Sequence, residues 1–212
     1  MSLTLYFLRH GETENSLNDS FCGILNPDLT PQGKEMAQAF ADSYKSIDWS
    51  GIYVSPMKRT IATATPLCEA VGMEMQLKDG IKEMNFGQWE NRTRDWVKEH
   101  YLEDYINWMT EPAWNPPSDG ETAVQVGSRA MLIISEIEAN YPDGNVLVVS
   151  HKTTIRIILC HLLGIDLGCY RDRIDILPAS VSMVQFGLHG PLLKKLGDRC
   201  YMSQELQDRT GI

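Results

Sequence analysis

The sequence predicts an α/β protein, a three-layer sandwich with a mostly parallel central sheet and helices on both faces. Three observations predict it. Short apolar runs with little polar interruption recur along the chain and read as strands buried on both faces. Between them lie segments with helical apolar spacing, several opened by Thr-Pro or Ser-Pro and closed by glycine. Strands that alternate with helices in this way imply a parallel sheet covered on both sides.

The elements follow in order. Leu3 to Leu8 is the first strand. Thr30-Pro31 opens a helix, Thr as the cap and Pro at its first position, with Met36, Ala37, Phe40, Ala41 and Tyr44 as its apolar stripe. Gly51 to Val54 is a second strand. Ser55-Pro56 repeats the capping signature and predicts a helix running to Val71, stopped by Gly72 and kinked at Pro66. Met73 to Leu77 reads as a third strand. Glu121 to Asn140 is a long helix broken by Pro142-Asp143-Gly144. The β-branched run Val146 to Val149 is a strand, followed by Ser150-His151 and a helix from Thr153 to Leu163 that ends at Gly164. Val181 to Phe186 reads as the last strand, and the tail after Pro191 is polar. The segment from Arg92 to Asp119 departs from this rhythm. It is rich in Trp, Tyr and acidic residues, closes with Pro112, Pro116 and Pro117, and reads as a helical lid or specificity insertion rather than a separate domain.

Composition narrows the function. A chain of 212 residues, 43% hydrophobic, supports one domain over residues 1–212 with a substantial core. Its apolar runs are too short to span a membrane, and Met1 to Thr4 lacks the pattern of a signal peptide, so a cytoplasmic protein is expected. Cys22, Cys68, Cys160, Cys169 and Cys200 are odd in number and form no C-x-x-C pair, as reduced structural thiols would be. The net charge of -9 disfavours nucleic acid and anionic membranes as partners. It does not disfavour a small anionic substrate, because local Arg and His residues can reverse the potential inside a cleft.

His10 and His151 each directly follow a predicted strand, and α/β sheets bind ligands at the carboxyl ends of their strands. Either alone is as well read as a structural histidine; together they can face one another. Arg9 adjoins His10, and Arg59, just past the second strand, reads either as a solvated helix residue or as a bidentate phosphate ligand, which its guanidinium fork suits. Lys58 reads as solvent-facing. Glu83 lies in a loop after the third strand, with Asp79 and Glu90 as comparable acids on composition alone.

In these residues and their order the chain resembles the histidine phosphatase superfamily, also called the phosphoglycerate mutase-like family. The matching elements are Arg9-His10-Gly11-Glu12-Thr13, Leu29-Thr30-x-x-Gly33, Ser55-Pro56-x-x-Arg59, Glu83-x-x-Phe86-Gly87-x-Trp89-Glu90, Asp119-Gly120-Glu121-Thr122, and Val148 to His151 continuing to Gly164. The resemblance implies His10 as a nucleophile that becomes phosphohistidine. It implies Arg9, Arg59 and His151 as phosphoryl ligands with His10, and Glu83 as the general acid. Such chemistry needs a neutral imidazole, fixed cations on the phosphoryl oxygens and a carboxyl that begins protonated, then serves as base toward water. It implies no metal and no cofactor.

Departures from the family pattern leave the five core residues untouched. Ser16, beside Asn15, replaces a usual Asn and is followed by Phe21-Cys22-Gly23, as in some phosphatase branches. Lys152 and Thr153 replace two glycines, and Lys152 either adds a phosphate contact or caps the helix into solvent. Asn91 replaces a glycine. Asn15, Ser16, Cys22, Gly23 and Lys152 are therefore the weaker substrate-binding candidates. Met84-Asn85-Phe86-Gly87 stands where the mutase branch carries Arg-His-Tyr-Gly, so a phosphatase of small phosphomonoesters is the first reading. Mutase-type phosphoryl transfer and a non-catalytic phospho-ligand or protein-binding module are the alternatives. Trp96, Tyr101, Tyr105 and Trp108 either wall the substrate or, at helical spacing, pack as core. A homodimer through apolar residues of the last strand is a further option.

Overall fold

The computed structural model describes residues 2–18 and 20–210. Its strands are β1 (Leu3–Arg9), β2 (Trp49–Val54), β3 (Gln76–Leu77), β4 (Gly144–Ser150), β5 (Val181–Gly187) and β6 (Gly190–Asp198). They form one sheet in the order β3-β2-β4-β1-β5-β6. The first four are mutually parallel, whereas β5 runs antiparallel to β1 and β6 antiparallel to β5. The helices are α1 (Glu14–Leu17), α2 (Pro31–Tyr44), α3 (Lys58–Val71), α4 (Arg94–His100), α5 (Leu102–Thr110), α6 (Ala123–Asn140), α7 (Lys152–Leu163), α8 (Tyr170–Arg173) and α9 (Gln204–Gln207).

All seven residues of β1 are buried, because both faces of the sheet are covered. Leu5 and Phe7 point into a core built with α6 and α7, where Val126, Ile134, Ile155 and Ile158 also lie. Tyr6 and Leu8, one residue out of phase, point into a second core with Met36, Phe40, Ala64 and Leu67 of α2 and α3. β4 divides in the same way, Val146 and Val148 to one side, Leu147 and Val149 to the other. The central strands end together, and the chain turns there into the residues of interest.

The structure differs from the sequence expectation at three places. The helix after Ser55-Pro56 starts at Lys58, and its cap position, Met57, supplies no side-chain hydrogen bond. Ser55 is thus no cap, and its hydroxyl has another partner. As expected, α3 runs past Pro66 to Val71 and stops at Gly72 in the left-handed region. The third strand shrinks to Gln76–Leu77, an exposed edge. The polar tail forms β6, whose exposed Lys194 and Lys195 suit an edge strand that must not pair with other chains.

In the insertion, Tyr105 and Trp108 of α5 are buried in the core beside Trp89, whereas Trp96 stacks on His100 at 4.1 Å. Beyond β6, Arg199 is buried and donates to the carbonyls of Leu206, Gln207 and Arg209. Arg209 in turn pairs with fully buried Glu12 through Nε at 2.8 Å and Nη2 at 2.9 Å, tying the tail to the loop that follows β1.

Candidate active site

His10 leaves the end of β1 between two neighbours. Its N–H donates to Ser150 and its carbonyl accepts from Ala179. The next residues press against the first turn of α2, backbone on backbone. A Cβ on Gly11 would lie 2.5 Å from the Gly33 carbonyl oxygen, and one on Gly33 would lie 2.2 Å from that of Glu12. Both positions therefore exclude a side chain. Gly11 N–H donates to Thr63 Oγ1, whose hydroxyl donates to the Arg59 carbonyl, so α3 fixes the loop as well.

The His10 ring has a defined tautomer. Nδ1 lies 2.7 Å from the Gly11 carbonyl oxygen, which can only accept. Nδ1 therefore carries the proton, and Nε2 presents the lone pair. Burial first, then Arg59 and Arg9, hold the imidazole well below the ordinary histidine range, so it stays neutral. Arg9, 3% exposed, donates Nη1 to the Ile176 carbonyl at 2.8 Å. Burial lowers Arg9 to about 10, leaving it charged at neutral pH.

Arg59 is fully buried and held at three points. Nη1 donates to Leu25 O at 2.6 Å, Nη2 to Gly23 O at 3.0 Å, and Nε to His151 Nδ1 at 3.2 Å. Since guanidinium only donates, His151 Nδ1 must accept, and its Nε2 carries the proton to Ser55 Oγ at 2.8 Å. This is the true partner of Ser55. The two imidazoles stand 5.3 Å apart, centre to centre, and burial with Arg59 holds His151 below the ordinary range as well.

Glu83 sits against the start of α7. Oε1 accepts from Met84 N–H at 2.9 Å and from Thr154 N–H and hydroxyl at 3.2 Å, and Oε2 accepts from Thr153 N–H at 3.2 Å. Its loop is fastened by Arg129 of α6, which donates to the carbonyls of Gly80, Lys82 and Glu83 and pairs with Glu121. Ser150 Oγ donates to Ile81 O, and Thr154 Oγ1 to Lys82 O.

Arg9, His10, Arg59 and Glu83 line one cleft of about 270 Å³. His151, fully buried, lies behind its wall. Of the weaker candidates, Ser16, Cys22, Gly23 and Lys152 line the cleft, whereas Asn15 turns its amide to Ser20. Phe21, Phe86, Trp108 and Tyr170 give the wall its apolar share. Among the described residues, no three His, Cys, Asp or Glu side chains are grouped as metal ligands.

A family model described as histidine phosphatase superfamily (branch 1) matches residues 5–199. The chain belongs to the histidine phosphatase superfamily. It is 32% identical over 206 residues to phosphoserine phosphatase 1 of Hydrogenobacter thermophilus, covering 94% of each chain. It is 26% identical to the adenosylcobalamin/alpha-ribazole phosphatase of Escherichia coli, across 82% of this chain and 90% of that one. The fold matches that of a mycobacterial glucosyl-3-phosphoglycerate phosphatase with a TM-score of 0.86 at 22% identity, over 94% of this chain and all of the other. Family and relatives together make this histidine phosphatase a hydrolase of small phosphomonoesters.

Ser55, Thr63, Arg129 and Arg171 of this phosphatase take part in the site without being marked as site residues in the sequence. Their partners are carbonyls and side chains distant along the chain, so no local pattern marks them. Glu90, a comparable acid on composition and the end of the Glu83 to Glu90 motif, has a structural part. In the structure its Oε1 accepts from Ile24 N–H at 2.8 Å and Phe86 N–H at 3.2 Å. It thereby links the acid loop to the segment whose carbonyls hold Arg59. Asn91, the departure from glycine, has φ of 59°, a left-handed conformation that Asn tolerates.

Proposed function

We propose that hydrolysis proceeds in two steps through a phosphohistidine on His10. The Nε2 lone pair attacks phosphorus, the ester P–O bond breaks, and Glu83 gives the leaving oxygen its proton. Water then attacks the phosphohistidine, Glu83 takes the water proton, and the N–P bond breaks to release phosphate. Arg9 and Arg59 receive the equatorial oxygens. His151 acts through Arg59, accepting the Arg59 Nε–H at Nδ1 and so fixing the guanidinium that receives the phosphoryl oxygens.

The observation that carries this reading is the His10 tautomer: Nδ1–H spent on the Gly11 carbonyl, Nε2 free, and the ring kept neutral between two buried arginines. The proposal includes a cytoplasmic setting, supported by five free cysteines. It also includes a single domain in which residues 92–119 shape specificity, supported by Arg94, Trp108 and Met109 in the cleft wall. Leu192 and Leu196 of β6 are exposed and offer an apolar edge for pairing with a second copy.

The test is turnover of p-nitrophenyl phosphate in excess chelator by wild type and His10→Ala. Sustained wild-type activity and a dead variant are expected. Loss of activity on chelation, or full turnover by His10→Ala, would refute the route. Binding without turnover would favour the binding-module reading.

A further inference from the structure

The cleft holds more positive charge than a phosphoryl group needs. Arg9 and Arg59 flank His10, and beyond them the wall carries Arg94 of α4, Lys152 and Arg156 of α7, and Arg171 of α8. Glu83 and Asp172 are the carboxylates of the same wall. Among the described residues, six cations and two carboxylates thus line the cleft, inside a protein of net charge -9. A phosphomonoester dianion is matched by the two inner arginines, and Arg156 has Asp175, so Lys152 and Arg171 are surplus to it.

These outer groups are placed rather than splayed into solvent. Arg171 lies over the Trp108 ring at 4.1 Å, and its two terminal nitrogens reach Met109 Sδ at 3.1 Å and Met109 O at 3.2 Å. Arg156 is braced by Asp175 at 3.1 Å. The Nε atoms of Arg9, Arg156 and Arg171 are buried without a hydrogen-bond partner. Unpaired buried donors are costly, and a ligand rich in acceptor oxygens relieves that cost. Lys152, at the first position of α7, has neither an ion pair nor a hydrogen bond among the described residues.

Resting on the proposed phosphatase reading, we propose that the cleft is built for a phosphomonoester bearing a second anionic group, carboxylate or phosphate. Lys152 and Arg171 seat that group, with Arg94 and Arg156 adding to the field. Burial and the neighbouring arginines lower Lys152 to about 8. Its charge is therefore full below that pH and lost above it, and the preference should follow.

The experiment compares three substrates on one three-carbon chain: propyl phosphate, 3-phosphooxypropionate and propane-1,3-diol bisphosphate. At pH 7 the kcat/KM of at least one doubly anionic substrate should exceed that of propyl phosphate by about thirtyfold, as partly screened charge pairs allow. The better of the two identifies the group. Lys152→Met and Arg171→Met should each cut that ratio by about tenfold, chiefly through KM, and the wild-type ratio should fall as pH rises through about 8. Ratios near one in wild type, or unchanged in both variants, overturn the second-anion site while leaving the His10 chemistry standing. No turnover of any of the three overturns both.

Discussion

Replacing Ser55 by Ala separates two roles for one hydroxyl. As a helix cap, Ser55 would lend about 1 kcal/mol of stability and nothing to kcat. In the structure it instead accepts the His151 Nε2 proton at 2.8 Å, with both residues fully buried. Removing the hydroxyl leaves a buried N–H unpaired, at a cost of about 1–3 kcal/mol. The cost falls on the imidazole that orients Arg59, so kcat/KM should fall about tenfold to a hundredfold. The loss should appear mainly in kcat. Steady-state kinetics on p-nitrophenyl phosphate, paired with a urea melt, reads both quantities, and Ser55→Thr, which keeps the hydroxyl, should recover part of the rate. An unchanged kcat with a lowered melting midpoint would refute the reasoning and restore the cap.

Three further outcomes are expected. His10 and His151 are both held below the ordinary histidine range, so the unfolded chain takes up protons that the fold refuses as pH drops below about 6.5. Stability is complete above that pH and should decline below it, by about 2.5 kcal/mol for the pair between pH 7 and 5.5. Urea unfolding of wild type and His10→Asn/His151→Asn tests this, and equal pH slopes would contradict it. Arg209→Ala strips the partner from buried Glu12 and should lower stability by about 2–3 kcal/mol, partly restored by adding Glu12→Gln. A midpoint within error of wild type would show that the tail does not clamp the loop. Arg129→Met releases three carbonyls of the acid loop and should cost kcat about tenfold or more with little change in KM. Unchanged kcat would mean that Glu83 is positioned without it.

What could be read from the sequence follows from where the information lies. β1 and β4 were legible because burial on both faces leaves an unbroken apolar run, and α2 because Thr30-Pro31 is a local start signal that the structure uses, Thr30 Oγ1 accepting from Gly33 N–H. β6 was not legible, since one face of an edge strand meets water and its lysines read as a tail. In the site, Arg9, His10, Arg59 and Glu83 were legible because each follows closely on a strand, and strand ends converge. Ser55 misled because Ser-Pro serves equally as a cap, and only the tertiary approach of His151 shows its use. Arg129 and Arg171 look like any helix cation until the distant carbonyls they hold are known.

The route through His10 is tested most sharply by rapid-quench mass spectrometry under alkaline conditions, which preserve phosphohistidine. Mixing wild type with a good phosphomonoester substrate should give a phosphoryl adduct on the His10 peptide before free phosphate accumulates, and Glu83→Gln should prolong its life. Turnover with no adduct at any time, or an adduct on another residue with His10 untouched, would contradict it.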